Sequence, residues 1–390
     1  MADYENDVRR LIALVKSAIT GEKLPSDGDF ESHFEKIMRL ASLHEMAHLA
    51  ACALLSNGFL KDEEHIRLAK KHVYDASYRD TKNSYTQKTA TDIFCDNKIP
   101  YIALKGAVIK NYYPERWMRS SCDIDILVKK PDFNNAVLLL KNNGFKLDSN
   151  LNFHDVSLLY DDTNLELHFS ICENIKNIDF VLKKVWDHTE KKGEYEYAES
   201  HDFFVFHHIA HMSYHFLAGG CGIRPFLDFW ILKRAGFFDV EAVKKLCEEA
   251  KIGAFFDAVT QLTDVWFCGG EDSDITRRME KYIIMGGAYG YFPNNAAAET
   301  IRNGGKIRHL FLLAFPPYSN MRVLYPVLNR APVVLPFCYF YRLFQKTVGQ
   351  NSAKAKKKYK IIKEQDSEFI KEITQLMKML KLDDKKGGNS

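Results

Sequence analysis

Two aspartates one residue apart, Asp123 and Asp125 in Arg119-Ser-Ser-Cys-Asp123-Ile-Asp125-Ile-Leu-Val128, carry the clearest chemical signal in the chain. Alternation with Ile124 and Ile126 turns both carboxylates of a strand to one face and the apolar side chains to the other. Paired carboxylates repel unless a proton or a divalent cation sits between them, and Mg²⁺ binds through one or two carboxylates together with substrate phosphates. The pair therefore points to metal-assisted phosphoryl or nucleotidyl transfer.

Such a site needs a third acid, because two oxygens must be stabilised in an in-line displacement. Glu166 meets that need in Leu165-Glu-Leu-His-Phe169, where alternation predicts a second strand and puts His168 on the same face to orient substrate or carry a proton. Upstream, Tyr101-Ile-Ala-Leu-Lys105-Gly106 reads as a short strand and a tight turn into a helix around 107–112. Gly106 would let backbone N–H groups approach a phosphate, and Lys105 would add a point charge. Arg119 is placed to clamp phosphate or to orient the loop. The G-x-x-x-x-G-K-S/T loop of other nucleotide binders is absent. Asp-x-Asp alone would read as a solvated strand edge; the order strand, glycine turn, second acidic strand favours a site.

The elements that position these residues follow from periodicity. Residues 4–97 show helical stripes, including Val8, Leu11, Ile12 and Val15. A helix is expected from Pro131 to Asn142, closed by Gly144, and extended runs over 153–160 and 165–169 flank the turn-prone Asp161-Asp-Thr-Asn164, predicting a hairpin in the same sheet. Beyond about residue 178 the pattern is helical, including 200–217 and 222–236. The expected domains are a helical subdomain 1–98, a catalytic core 99–177, a second helical subdomain 178–350 and a charged helical tail 351–390.

With 390 residues, 46% of them hydrophobic, the chain can bury a sizeable core. Lys and Arg exceed Asp and Glu by three, so overall charge demands no nucleic acid. Eight cysteines without a C-x-x-C pair argue against a zinc knuckle or disulfide framework and for reduced thiols in the cytoplasm. The acidic N-terminus does not read as a signal peptide, and no apolar run of about 18 residues predicts a membrane span. The short apolar stretch Val333-Val-Leu-Pro-Phe-Cys-Tyr-Phe-Tyr is expected to pack against the helical core, with Arg322, Arg330 and Arg342 nearby keeping a surface role open.

His207, His211 and His215 recur every four residues on one helical face, a spacing that could hold a transition metal but suits better the lining of an acceptor cleft or packing with Arg224 and Asp228. Arg224 and Asp228 are themselves four apart, which as a bland reading makes an intrahelical ion pair. His154 reads as a core hydrogen-bonding group.

Leu104-Lys-Gly106, Arg119, Asp123-Ile-Asp-Ile-Leu-Val128 and Leu165-Glu-Leu-His-Phe169 together resemble the motifs of the uncharacterised bacterial nucleotidyltransferase family, a branch of the DNA polymerase β-like nucleotidyltransferase superfamily. The resemblance extends from Ser42-Leu-His-Glu45 to Gly222-Ile-Arg-Pro-Phe-Leu-Asp228 and on to Phe315-Pro-Pro317. It implies an α+β fold, a small mixed sheet flanked by N- and C-terminal helical subdomains, and metal-binding acids at Asp123, Asp125 and Glu166. It raises the expectation that Arg224 and Asp228 face the cleft, where strand alternation already puts His168 and the helical row His211. The implied reaction moves a nucleoside monophosphate from an NTP such as ATP, with Mg²⁺ or Mn²⁺, to a hydroxyl on a small molecule, a sugar, a protein or an RNA end. Ala107 stands where the superfamily pattern has a second glycine or a serine, and fifteen residues between Ala107 and Asp123 exceed the usual spacing. A catalytically inactive nucleotide-binding protein or a helical scaffold is the alternative.

Overall fold

Period-two alternation becomes two adjacent strands at the middle of a mixed sheet. The computed structural model describes residues 2–25, 29–151, 155–288, 290, 292–348 and 367–382. His154 and most of the tail beyond residue 350 lie outside the described residues. Within them, seven strands form one sheet: β1 (Tyr101–Ala103), β2 (Asp123–Val128), β3 (Lys146–Leu151), β4 (Asp155–Tyr160), β5 (Thr163–His168), β6 (Thr189–Lys191) and β7 (Glu196–Glu199). Their order is β3-β4-β5-β2-β1-β7-β6.

The helices are α1 (Ala2–Thr20), α2 (Phe34–Leu43), α3 (Ala47–Asn57), α4 (Glu63–Asp96), α5 (Gly106–Ile109), α6 (Phe133–Asn142), α7 (Lys176–Leu182), α8 (His201–Leu217), α9 (Arg224–Arg234), α10 (Val240–Glu249), α11 (Gly253–Phe267), α12 (Asp274–Gly286), α13 (Phe292–Arg302), α14 (Lys306–Ala314), α15 (Tyr318–Leu324), α16 (Leu335–Val348) and α17 (Ser367–Met379). The chain divides into one unit of residues 1–214 and 222–276 and another of 215–221 and 277–390.

In the first unit, β2 runs antiparallel to β1 and parallel to β5, and β4 closes the expected hairpin onto β5. Ile124, Ile126 and Val128 of β2 and Leu165 and Leu167 of β5 are buried in one cluster with Ala90 and Phe94 of α4 and with Ala136 and Leu140 of α6. Burying each such side chain stabilises by roughly 1.5–3 kcal/mol. A one-residue slip of β2 would exchange these isoleucines for the aspartates, so core packing fixes which face the carboxylates take.

Two local expectations are corrected. Strands β6 and β7 replace a purely helical region after residue 178; at three and four residues they are too short for alternation to register, and pairing of Tyr101 with Glu196 and Ile102 with Tyr197 docks β7 on the edge of β1. The turn after β1 is also made differently. The positive φ falls on Lys105 (φ 43°, ψ −112°), and Gly106 instead begins α5. A lysine in that region is strained by about 1–3 kcal/mol, the kind of strain that surrounding structure must hold.

In the second unit, Met321, Leu328 and Cys338 are the buried residues of a small cluster between α15 and α16. The stretch expected to pack inward does so only in part: Cys338 is buried, whereas Val333, Phe337, Phe340 and Tyr341 are 83, 76, 77 and 55% exposed. A helix presents two sides, and the small cluster covers only the side bearing Cys338. No helix among the described residues is long and apolar enough to cross a membrane.

Candidate functional site

Parallel pairing of β2 with β5 sets Asp125 directly opposite Glu166 and Asp123 opposite Asn164, and β4 adds Ser157 opposite Glu166 and Asp155 opposite His168. Because side chains alternate, Asp123, Asp125, Glu166 and His168 share the face away from the hydrophobic core. His168 Nε2 lies 2.9 Å from Asp125 Oδ1 and 3.7 Å from Glu166 Oε2, and Lys105 Nζ lies 3.4 Å from Asp125 Oδ1. Asp125, Glu166 and His168 each offer a ligand atom within 4.8 Å of the others. Among the described residues this trio is the group of acids, histidines or cysteines able to share an ion, and the His207/His211/His215 row is not one. Asp123 stands beside the trio, accepting from Ser121 Oγ at 3.1 Å.

The electrostatics follow from crowding acids on a partly buried face. Burial and then the neighbouring Asp125 and Asp123 push the Glu166 carboxyl from 4.5 up to about 7. Burial and Asp125 likewise raise Asp123, against the opposing pull of Lys105. For Asp125 burial also acts upward, but Lys105 and His168 outweigh it and hold the carboxyl well below the usual range. Burial disfavours the Lys105 ammonium, yet Asp125, Asp123, Glu173 and Glu166 more than compensate and raise its pKa. Acids forced toward protonation around one lysine have room for further positive charge. Two carboxylates and an imidazole within 4.8 Å of one another can ligate a divalent cation, so the donor set fits a metal ion.

Around the acids the structure uses the other sequence candidates as follows. Arg119, which follows the short helical turn Arg116–Met118, donates from Nε to both oxygens of Asp228 at 2.8 and 2.9 Å, and Tyr113 donates to Asp228 Oδ1 at 2.6 Å. Asp228, on α9, is fully buried; burial raises its carboxyl, but Arg119 overrides this and lowers it. Arg224 hydrogen-bonds Glu45 and reaches Ser120 O at 3.4 Å. The intrahelical Arg224–Asp228 pair is thus replaced by pairs to other elements. A solvated i, i+4 pair gains only a few tenths of a kcal/mol, less than partnering a buried charge. His48 Nε2 contacts Met118 O at 2.8 Å, and burial keeps this imidazole neutral, near 4. The loop entering β2 is therefore held by α2–α3 on one side and α9 on the other.

His211 Nδ1 lies 2.7 Å from Glu173 Oε1, and His207 Nδ1 lies 3.0 Å from Glu199 Oε1. The row is divided among separate acids, and the boundary between the two units falls ahead of His215. A Cβ on Gly106 would meet Arg119 Nη1 and Ser121 Oγ at 3.5 Å, which is ordinary contact, so the glycine leaves space and is not required by a clash. Asp123 lines a small hollow of about 20 Å³ together with Gly106, Ala107, Arg119 and Ser121.

Sequence reasoning missed Ser121, Glu173 and Tyr113 as neighbours of the site. Only Ser121, two residues before Asp123, carried a local signal; the others contact partners far along the chain.

A mixed sheet with acids on one face, flanked by many helices, fits a nucleotidyltransferase-like α+β fold. The chain belongs to the family described as uncharacterised nucleotidyltransferase, whose model matches residues 31–268. That match spans β1 to β7, the acids and the Glu45, Arg224 and Asp228 supports. No curated protein and no solved structure matches the chain.

Proposed function

We propose that the protein transfers a nucleoside monophosphate from an NTP to a hydroxyl acceptor and releases pyrophosphate, with Mg²⁺ or Mn²⁺ as cofactor. The observation that carries this reading is the register that sets Asp125 opposite Glu166, with Asp123 on the same face and Lys105 beside Asp125. Asp123, Asp125 and Glu166 would hold the cation, with His168 adjoining. When bound, a divalent cation supplies Lewis-acid stabilisation of phosphoryl charge. Lys105 and the turn at Gly106 receive phosphate oxygens. Glu166, opposite Asp125 on the same face, is suited to take the acceptor hydroxyl's proton as that oxygen bonds to the α-phosphorus and the bond to the pyrophosphate oxygen breaks.

Ala107 favours a second reading, an inactive nucleotide-binding protein, because methyl replaces a hydroxyl that could meet phosphate. Purified protein incubated with labelled NTPs, Mg²⁺ and a cell extract separates the two. Mg²⁺-dependent pyrophosphate release and label transfer, abolished by Asp125→Asn, support transfer; NTP binding with neither supports the second reading.

A further inference from the structure

The second unit turns some of its most apolar side chains outward. In α16, Phe337, Phe340, Tyr341 and Phe344 recur at i, i+3, i+4 and i+7 and are 76, 77, 55 and 58% exposed. That spacing gathers them on one helical face. In α14, Ile307 and Phe311 repeat the pattern at 87 and 60% exposure. Phe315 packs its ring on Tyr339 at 5.5 Å and Arg342 donates to Leu313 O at 3.0 Å, so the segments that carry these side chains are fixed to one another. Apolar exposure concentrated in this way marks an interaction surface.

Charge selects the partner. From Thr300 to Val348 the sequence holds seven lysines and arginines and no acid, leaving 47 basic against 51 acidic residues in the rest of the chain. A second copy would set like charge against like across this face. We propose that α14 and α16 bind the surface of an anionic lipid bilayer, their rings entering the headgroup boundary while arginines such as Arg308 and Arg330 meet lipid phosphates. The attachment is interfacial and reversible. It goes beyond the transferase reading and does not depend on it.

Co-sedimentation of the full chain with vesicles tests the proposal. The chain should pellet with phosphatidylcholine vesicles containing phosphatidylglycerol, much less with phosphatidylcholine alone, and less again in ~1 M salt, where screening shortens to about 3 Å. Phe337→Glu with Phe340→Glu alters exposed positions and should weaken binding about a hundredfold or more, the scale for keeping two rings out of an apolar phase. Arg308→Glu with Arg330→Glu should remove the preference for anionic lipid. Wild-type chain that stays in the supernatant with both vesicle types overturns the proposal. So does a homodimer in sedimentation equilibrium that Phe337→Glu with Phe340→Glu dissociates, since a second copy would then cover the face.

Discussion

Glu166 and Asp125 face each other across one strand pairing, yet their surroundings drive their carboxyls apart. Glu166 is pushed to about 7, whereas Asp125 stays ionised despite burial because Lys105 and His168 outweigh it. If Glu166 assists the acceptor hydroxyl, Glu166→Gln should keep much of the NTP affinity, measured by calorimetry, and lose transfer by ~10²–10⁴ in single-turnover assays. Equal turnover in wild type and variant would remove Glu166 from the mechanism. Its raised carboxyl also gives the fold a pH signature. Between 4.5 and about 7 the folded chain holds a proton that the unfolded chain has lost, so the Glu166 contribution to stability is complete below 4.5 and disappears as pH rises through about 7. A divalent cation competes with that proton. The gain in melting temperature on adding Mg²⁺ should therefore be small near pH ~5.5 and large near pH ~8, and Glu166→Gln should flatten the difference.

Among the elements, the loop between α5 and β2 is the one that non-local partners must hold. Asp228→Asn would leave Arg119 charged and buried, which costs about 3–5 kcal/mol. Urea unfolding should show that loss, and a cycle with Arg119→Met should show strong coupling between the two sites. Gly106→Ala should leave the unfolding midpoint close to wild type, because the added methyl meets Arg119 and Ser121 at 3.5 Å, while NTP affinity falls if phosphate approaches that turn. Strands β2 and β5 were legible in the sequence because burying one face imposes a period of two. Their pairing was not, since the choice of neighbour and register is made by the assembled core. The i, i+4 pair Arg224–Asp228 was equally legible and is not the pairing adopted. Glu173 with His211 and Arg119 with Asp228 join positions 38 and 109 residues apart, and no local pattern announces such contacts.

Across the whole molecule, burial is uneven. Strands β2 and β5 sit on a broad cluster with α4 and α6, whereas α15 and α16 share a core of three buried residues. Hydrogen exchange followed by mass spectrometry should therefore label peptides from 318–345 well before those from 123–128, because local opening costs least where few apolar contacts are lost. Comparable protection in both would show that the small cluster is held by more than its own packing. The contact between Arg119 and Asp228 has a consequence for biosynthesis. Synthesis proceeds at ~5–20 residues per second, so a ribosome finishes Arg119 roughly 5–20 s before it supplies Asp228, 109 residues later. By the later part of that interval the nascent chain carries Asp123, Asp125 and Glu166 but lacks the anchor for the loop leading into β2. On unfinished chains the loop leading to the acids therefore lacks its Asp228 partner, and translation through α9 sets the earliest moment at which that contact can form.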